Sequence, residues 1–376
     1  MSGGLETDSL FTDSQQRAQA LQNWFLSLLV DLSPETEAGK FKFSLVQGDA
    51  SFRRYFRAQG DQTSYILVDA PPAKEDSRQF VSIARLFAQQ GVQVPVVHQA
   101  DFEQGFLCLS DFGDTLLWSK LNQIQTVGLA DTEATTFYHK AFEQLLLIQH
   151  VPTQKLPLFS ASLLQQEMAL FRNWFCEGIL NLKLNEKDDE ILSQAFDLLS
   201  QSALSQKQLC VHRDYHSRNL LYLEADSSIG VIDFQDAVQG PYSYDLVSLL
   251  KDCYIAWPLS QVQSWALAYR ELAVQHKLFD VEENVFLRNF DLMGAQRHLK
   301  AIGIFSRLCL RDQKITYLAD IPRTLSYLHQ VCAEYAELKS LHAWLEVNVM
   351  PDVETKILSF ANSDSRAKIH DKDIKA

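Results

Sequence analysis

The stretch Leu209–Asp245, LCVHRDYHSRNLLYLEADSSIGVIDFQDAVQGPYSYD, decides how this chain is read. It opens on a short apolar strand and passes into a polar loop, His212–Asn219. Two short apolar strands follow, Leu220–Leu223 and Ile229–Ile232, joined by a polar Ala-Asp-Ser-Ser turn, and the second runs into Asp233. Phosphoryl transfer needs a base to position the acceptor and oxygen ligands for a metal. Asp214 and Asn219 stand five residues apart in one loop, and Asp233 follows at the far end of a hairpin that can fold it back beside Asn219. The spacing lets Asn219 and Asp233 hold one metal while Asp214 faces an acceptor hydroxyl.

The same residues resemble the HxD-x₄-N … IDF-x-DA signature of the aminoglycoside phosphotransferase and choline kinase superfamily, a relative of the protein-kinase HRD … N … DFG set. The resemblance implies an α+β, bilobal protein-kinase-like fold. A five-stranded antiparallel sheet lobe binds ATP, and a mainly helical C-terminal lobe carries the catalytic loop. It also implies that Asp214 is the catalytic base, that Asn219 and Asp233 are Mg²⁺ ligands, and that His212 braces the loop. Asp236 and Asp245 match acidic positions that recur in the superfamily. Asp245 reads as an N-cap or a brace of the loop, Asp236 as a support of the metal or a substrate contact.

Working outward, the N-terminal half is strand-rich. Leu21, Trp24, Phe25, Leu28 and Leu29 recur at helical spacing near the front. Strands are expected at Phe41–Gly48, Arg53–Ala58, Ser64–Val68, Val92–His98 and Gly105–Leu109. A helix over Asp76–Gln90, closed by Gly91, follows the third. The turn Gln47–Arg53 sits where such folds cover the phosphates, so Gly48, Asp49, Ala50, Ser51 and Arg53 are candidate nucleotide contacts. Leu109 to Asp111 is the expected linker whose backbone reads adenine. Asp111-Phe112-Gly113 spells DFG but precedes the catalytic loop, so the metal aspartate is Asp233. The third strand carries no lysine where most relatives place one for the phosphates. Arg53, Arg54 or Arg57 is expected to supply that charge, 53 and 57 lying on one face of the strand and 54 on the other.

Beyond about residue 115 the periodicities are helical. Ser162 with Gln165 fits a capping box, and Leu164, Met168, Phe171 and Phe175 fall on one helix face. Only the region Gln208–Ile232 reads as strand. The expected units are 15–110 for nucleotide binding and 111–361 for the catalytic loop and acceptor site, with tails at 1–14 and 362–376.

The segments QGDASFRRYFR, YILVDAPP-x₃-D, GFLCLSDFG, VHRDYHSRNLL and QRHLKAIGIFSRLCLRD narrow the resemblance to the bacterial anomeric amino-sugar kinases. That subgroup phosphorylates the C1 hydroxyl of N-acetylmuramate and N-acetylglucosamine in cell-wall recycling. The resemblance implies that the absent lysine is a trait of the subgroup. Arg297, His298, Lys300 and Arg307 share one late helix, and a basic cluster facing the acceptor suits an anionic sugar. Arg297 and Lys300 are candidate substrate residues, as are His216, Arg218 and Gln235, which flank the catalytic positions. The alternatives are another hydroxyl kinase of the same fold, acting on an aminoglycoside, choline or homoserine, and a pseudokinase without chemistry.

The net charge of −13 over 376 residues argues against nucleic acid as a partner, but not against a metal-complexed nucleotide. No apolar run approaches the roughly 20 residues that span a bilayer. The polar start lacks the order of a signal peptide, so a cytoplasmic enzyme acting on a small molecule is expected. Six scattered cysteines contain no CxxC pair, which points to reduced, mostly buried thiols.

Overall fold

The computed structural model describes residues 5–32, 41–46, 52–127 and 131–360. The chain forms two compact units. One takes in the residues up to Thr115 together with Leu221–Gln235. The other takes in Leu116–Leu220 together with the chain from Asp236 onward. The short hairpin bearing Asp233 therefore belongs with the N-terminal sheet, although the sequence reading placed it in the helical region.

The first unit runs α1 (Leu5–Leu32), β1 (Lys42–Val46), β2 (Arg54–Gln59), β3 (Ser64–Asp69), α2 (Ser77–Gln89), β4 (Val97–Asp101) and β5 (Phe106–Ser110). Its sheet has the order β1-β2-β3-β5-β4, antiparallel throughout. Helix α1 includes residues 5–14, which the sequence reading took as a tail. Leu21, Phe25 and Leu29 are buried at helical spacing against Phe41, Tyr65, Leu67, Phe106 and Cys108. Tyr65 and Leu67 on β3, like Phe106 and Cys108 on β5, alternate as a pleated strand requires. Strand β4 starts five residues later than expected, because Pro95 interrupts the run and Val92–Val94 closes a tight turn instead. The turn before β5 needs its glycine: Gly105 has φ +74°, and a Cβ there would sit 1.9 Å from the Ala70 carbonyl oxygen. Helix α2 begins at the expected cap, with Asp76 accepting from Arg78 N, and the chain leaves its end through Gly91 at φ +88°.

The second unit runs α3 (Leu117–Val127), α4 (Asp131–Gln149), α5 (Ala161–Leu170), α6 (Glu186–Ser205) and β6 (Gln208–Val211). Then β7 (Leu220–Leu223) and β8 (Ser228–Val231) form the hairpin of the first unit. The second unit resumes with β9 (Val238–Pro241), α7 (Tyr244–Leu250), α8 (Leu259–Gln275), α9 (Glu283–Asp312), α10 (Ile321–Glu334) and α11 (Lys339–Asn348). Strand β9, which pairs antiparallel with β6, escaped the sequence reading because its Gly240 and Pro241 are poor strand residues. Helix α5 is capped by Ser160, which accepts from Leu163 N, rather than by Ser162. The run Leu164, Met168, Phe171 and Phe175 is buried as expected, but from Phe171 to Ile179 the turns widen into a π-helix. Helix α9 passes alongside it and is buried over most of its middle, as the central helix of a helical unit must be. At the closest approach Gly303 leaves no room for a side chain, since a Cβ would lie 2.3 Å from the Leu170 carbonyl carbon.

All six cysteines are buried and none forms a disulfide. Among the described residues no helix is long and apolar enough to cross a membrane.

Candidate active site

In the first unit the hairpin is fixed to the sheet and α2. Val231 N donates to Gln93 O at 2.7 Å, and Tyr222 N to Thr115 O at 2.8 Å. Phe234 packs against Phe80 and Phe87 with ring centroids 5.0 and 5.7 Å apart. A Cβ at Gly230 would meet the Phe112 ring at 2.5 Å. This anchoring places Asp233, exposed and in left-handed backbone at φ +66°. Such a conformation is strained in a non-glycine residue and tends to occur at functional sites. Gln235 Nε2 donates to Asp233 Oδ1 at 2.9 Å, while Gln235 O accepts from Gln79 Nε2. Gln235 thus steadies Asp233, and it does not line the pocket beside Asp214.

The three arginines in and just before β2 divide sharply. Arg54 and Arg17 converge on Asp69, a fully buried carboxylate at the end of β3. Arg57 pairs with Asp111 at 2.6 Å and with Asp114 at 2.7 Å. Asp111 also accepts from Ser64 Oγ at 2.5 Å and Gly113 N at 2.9 Å. Burial raises its pKa, but Arg57, Ser64 and Gly113 more than offset that and lower it. The Asp111 carboxylate is therefore engaged within its own turn. Leu109 pairs with Ile66 on one side and Val97 on the other. Arg53 differs from its neighbours. Its guanidinium meets Glu75 at 3.1 Å, lies over Phe80, and acts on Tyr55, whose hydroxyl also feels Asp233 and Glu75. Burial raises the Tyr55 pKa, and the Arg53 charge opposes it. Arg53 and Asp233 thus come together around Tyr55. Gly48, Asp49, Ala50 and Ser51 lie outside the described residues.

In the second unit the loop His212–Asn219 is held by two buried aspartates. Asp245 accepts from His212 N at 2.6 Å and from Arg213 N at 3.0 Å. Burial pushes its pKa up to about 7 against the pull of those two donors. It stands in the first turn of α7, whose cap position is Ser243, so it braces the loop rather than capping its own helix. Asp252 accepts from Ser217 N and Oγ at 2.9 and 2.6 Å. Arg213 is in left-handed backbone at φ +78°. Fully buried His212 accepts from Asp214 N at its Nδ1, 3.2 Å away. Asn219 Nδ2 donates to Asp214 O at 3.0 Å, which fixes the amide and turns Oδ1 the other way.

Asp214 opens onto a pocket whose lining includes His216, Tyr244, Tyr254, Arg297 and Lys300. Burial raises the Asp214 pKa, but Lys300, His216, Arg297 and His212 around it outweigh that and hold the carboxyl at about 2. Lys300 Nζ donates to Tyr244 Oη at 2.9 Å and meets Glu167 at 3.2 Å. Glu167 also holds Arg213 at 2.6 Å. Arg297 is only 5% exposed, yet it donates to the Cys253 thiol at 3.6 Å, and among the described residues it has no ion pair.

The structure thus gathers Asp214, His216, Arg297 and Lys300 in one pocket. It leaves out others that were expected there. Arg218 stacks over Tyr254 at 3.8 Å and Trp118 at 5.3 Å, and Asp236 is exposed at the turn before β9. The basic cluster of α9 splits, because successive helical positions point about 100° apart. His298 faces away, stacked on Tyr327, with Nε2 donating to Lys251 O at 3.0 Å. Arg307 is not among the lining residues. Burial, more than the nearby Arg297 and Lys251 charges, lowers the His298 pKa to about 3. The unfolded chain protonates this ring below its ordinary pKa of 6.5, whereas the folded chain keeps it neutral. Stability is therefore lost as pH falls through that range. Between pH 6.5 and 5 the wild type should lose about 2 kcal/mol relative to His298→Gln, read as a drop in urea midpoint absent from the variant. Tyr244, Tyr254, Cys253, Glu167 and Asp252 escaped the sequence reading. Tyr244 sits in the stretch already singled out and Asp252 seven residues past its end, but Glu167 looks like any polar residue beside Met168 on a helix.

The donor atoms of Asn219 and Asp233 are an amide and a carboxylate oxygen, the hard type that Mg²⁺ takes. Each donor, taken by itself, suits that ion. Comparison with known proteins agrees in kind. The profile of the phosphotransferase enzyme family (APH) matches residues 42–279. An N-acetylmuramate/N-acetylglucosamine kinase of Pseudomonas putida is 38% identical over 86% of this chain and 94% of its own. A kinase of the same description from Pseudomonas aeruginosa is 39% identical over 86% of this chain and 95% of its own. Among solved structures, an ethanolamine kinase of Plasmodium vivax superposes with a TM-score of 0.56 at 11% identity, covering 82% of this chain and 88% of that one, a likeness of fold alone. With an antiparallel five-stranded sheet, a helical unit holding an HxD-x₄-N loop, and matches of this extent, the chain belongs to the phosphotransferase enzyme family.

Proposed function

We propose that this protein transfers the γ-phosphoryl group of Mg-ATP to the anomeric hydroxyl of N-acetylmuramate and N-acetylglucosamine. The observation that carries the substrate reading is Arg297. A buried guanidinium with no carboxylate at ion-pair distance is costly; this one feels the Asp252 and Asp214 charges without an ion pair to either, and it lines the same pocket as Asp214. N-acetylmuramate brings a lactyl carboxylate that would pair with it, whereas a polycationic aminoglycoside would be repelled by Arg297 and Lys300. The relatives' descriptions point to the same two sugars.

In this reading Asp214 receives a hydrogen bond from the acceptor hydroxyl and takes its proton as the oxygen–phosphorus bond forms and the bond to ADP breaks. A carboxyl with a pKa of about 2 is a weak base. Its main work is to aim the hydroxyl, and the proton arrives late, in keeping with a loose transition state. Asn219 and Asp233 are the residues that would hold Mg²⁺, and the ion would neutralise charge on the transferring phosphates. Arg53, braced by Glu75 and close to Asp233, takes the place of the absent third-strand lysine.

The test is phosphorylation of a panel containing both amino sugars, N-acetylgalactosamine, glucose, kanamycin and choline, followed by mass spectrometry with Mg²⁺ and with EDTA. An acid-labile sugar 1-phosphate from the two amino sugars, lost with EDTA, is expected. Product on kanamycin or choline alone would overturn the substrate reading. Arg297→Met should raise KM for N-acetylmuramate by at least about 10-fold more than for N-acetylglucosamine, the equivalent of about 1.4 kcal/mol of selective binding. An equal loss on both sugars would place the carboxylate elsewhere.

A further inference from the structure

On the second unit, away from Asp214, His329 of α10 and His342 and Glu346 of α11 form a cluster that the phosphotransferase reading does not use. His342 and Glu346 are four residues apart and share one face of α11. His329 reaches them from the neighbouring helix. Its Nε2 contacts Glu346 Oε1, and the two imidazole rings have centroids 4.6 Å apart. His342 Nε2 is buried and has no hydrogen-bond partner, although Glu346 Oε1 is only 3.9 Å away. One ligand atom from each residue falls within 4.8 Å of the other two.

A buried, unpartnered imidazole nitrogen aimed at a carboxylate that already meets a second imidazole calls for a cation between them. Two imidazole nitrogens and one carboxylate oxygen form the His₂Glu set that binds Zn²⁺, with a fourth position open to water. Metal–ligand bonds of about 2.0–2.2 Å need donor atoms roughly 3.3–3.5 Å apart, which small side-chain rotations reach from the separations observed. Hard oxygen-seeking ions such as Mg²⁺ would find too few oxygens here. We propose that His329, His342 and Glu346 bind a divalent transition metal of the Zn²⁺ class, which ties α11 to α10. Helix α10 in turn packs against α9, the carrier of Arg297 and Lys300.

The test uses the full chain, stripped with EDTA and returned to excess Mg²⁺ so that oxygen sites are filled. Titration with Co²⁺ should give the visible d–d bands of a four-coordinate ion at one equivalent. Zn²⁺ at a hundredfold excess over its Kd should raise Tm by about 3 °C. Both effects should disappear in His342→Ala and in Glu346→Gln, while phosphorylation by the metal-stripped, Mg²⁺-supplied variants stays at the wild-type rate. Bands and Tm rise that persist in both variants would assign the metal to other residues and overturn the proposal. So would a wild-type titration showing no four-coordinate spectrum.

Discussion

Asp214→Ala should lower kcat by on the order of 10³-fold, about 4 kcal/mol of barrier, while leaving KM for the acceptor almost unchanged. The split follows from the electrostatics of the pocket. Asp214 is one negative charge facing Lys300, His216, Arg297 and His212. Removing it makes the pocket more positive, so an anionic sugar loses no attraction even as the hydroxyl loses its guide. Lys300 keeps its ion pair with Glu167 at 3.2 Å, so the pocket should not collapse. Steady-state kinetics on N-acetylmuramate, with Asp214→Asn beside it, checks the point. A variant within a few-fold of wild-type kcat would remove Asp214 from the chemistry.

Asp245→Ala should be the most damaging substitution for stability among the residues that form or brace the loop, at about 3–5 kcal/mol. Its two carboxylate oxygens are the acceptors for His212 N and Arg213 N, and it has no exposure to solvent. Two buried backbone donors left without acceptors cost about 1–3 kcal/mol each. The loop would also lose what holds Arg213 at φ +78°. Asp245→Asn keeps one acceptor oxygen and should lose about half as much. Urea unfolding followed by fluorescence measures both, and equal midpoints for wild type and Asp245→Ala would show that the loop is held by other contacts. Weak activity in the alanine variant at low temperature, where it remains folded, would separate the brace from the chemistry.

Much of this could be read before any coordinates. Asp214, Asn219 and Asp233 stand out because the proposed chemistry calls for those residue types at that spacing in one continuous stretch. The sheet was legible from period-two runs such as Tyr65–Leu67 and Phe106–Cys108, and α2 from Asp76 and Gly91 at its ends. What stayed hidden depended on tertiary neighbours. Nothing local distinguishes Glu167 from a solvent-facing glutamate, since its partners Arg213 and Lys300 come from distant elements. The α9 cations read as one basic cluster, yet burial sends Arg297 and Lys300 toward Asp214 and leaves His298 neutral against Tyr327. Arg218 was expected to meet substrate. Its flat guanidinium instead found two aromatic faces, a choice that sequence spacing does not encode.

The hairpin Leu221–Gln235 closes the N-terminal unit from a point far along the chain. During synthesis, which proceeds from the N-terminus at about 5–20 residues per second, the five-stranded sheet leaves the ribosome first but lacks the Phe234 ring that covers Phe80 and Phe87. That apolar surface stays open until residue 235 emerges, by which time α3 to α6 have already been made. The nascent protein therefore spends seconds with an unfinished first half. A fragment cut after Thr115 would remain in that state permanently, and should be prone to aggregate where the full chain is not.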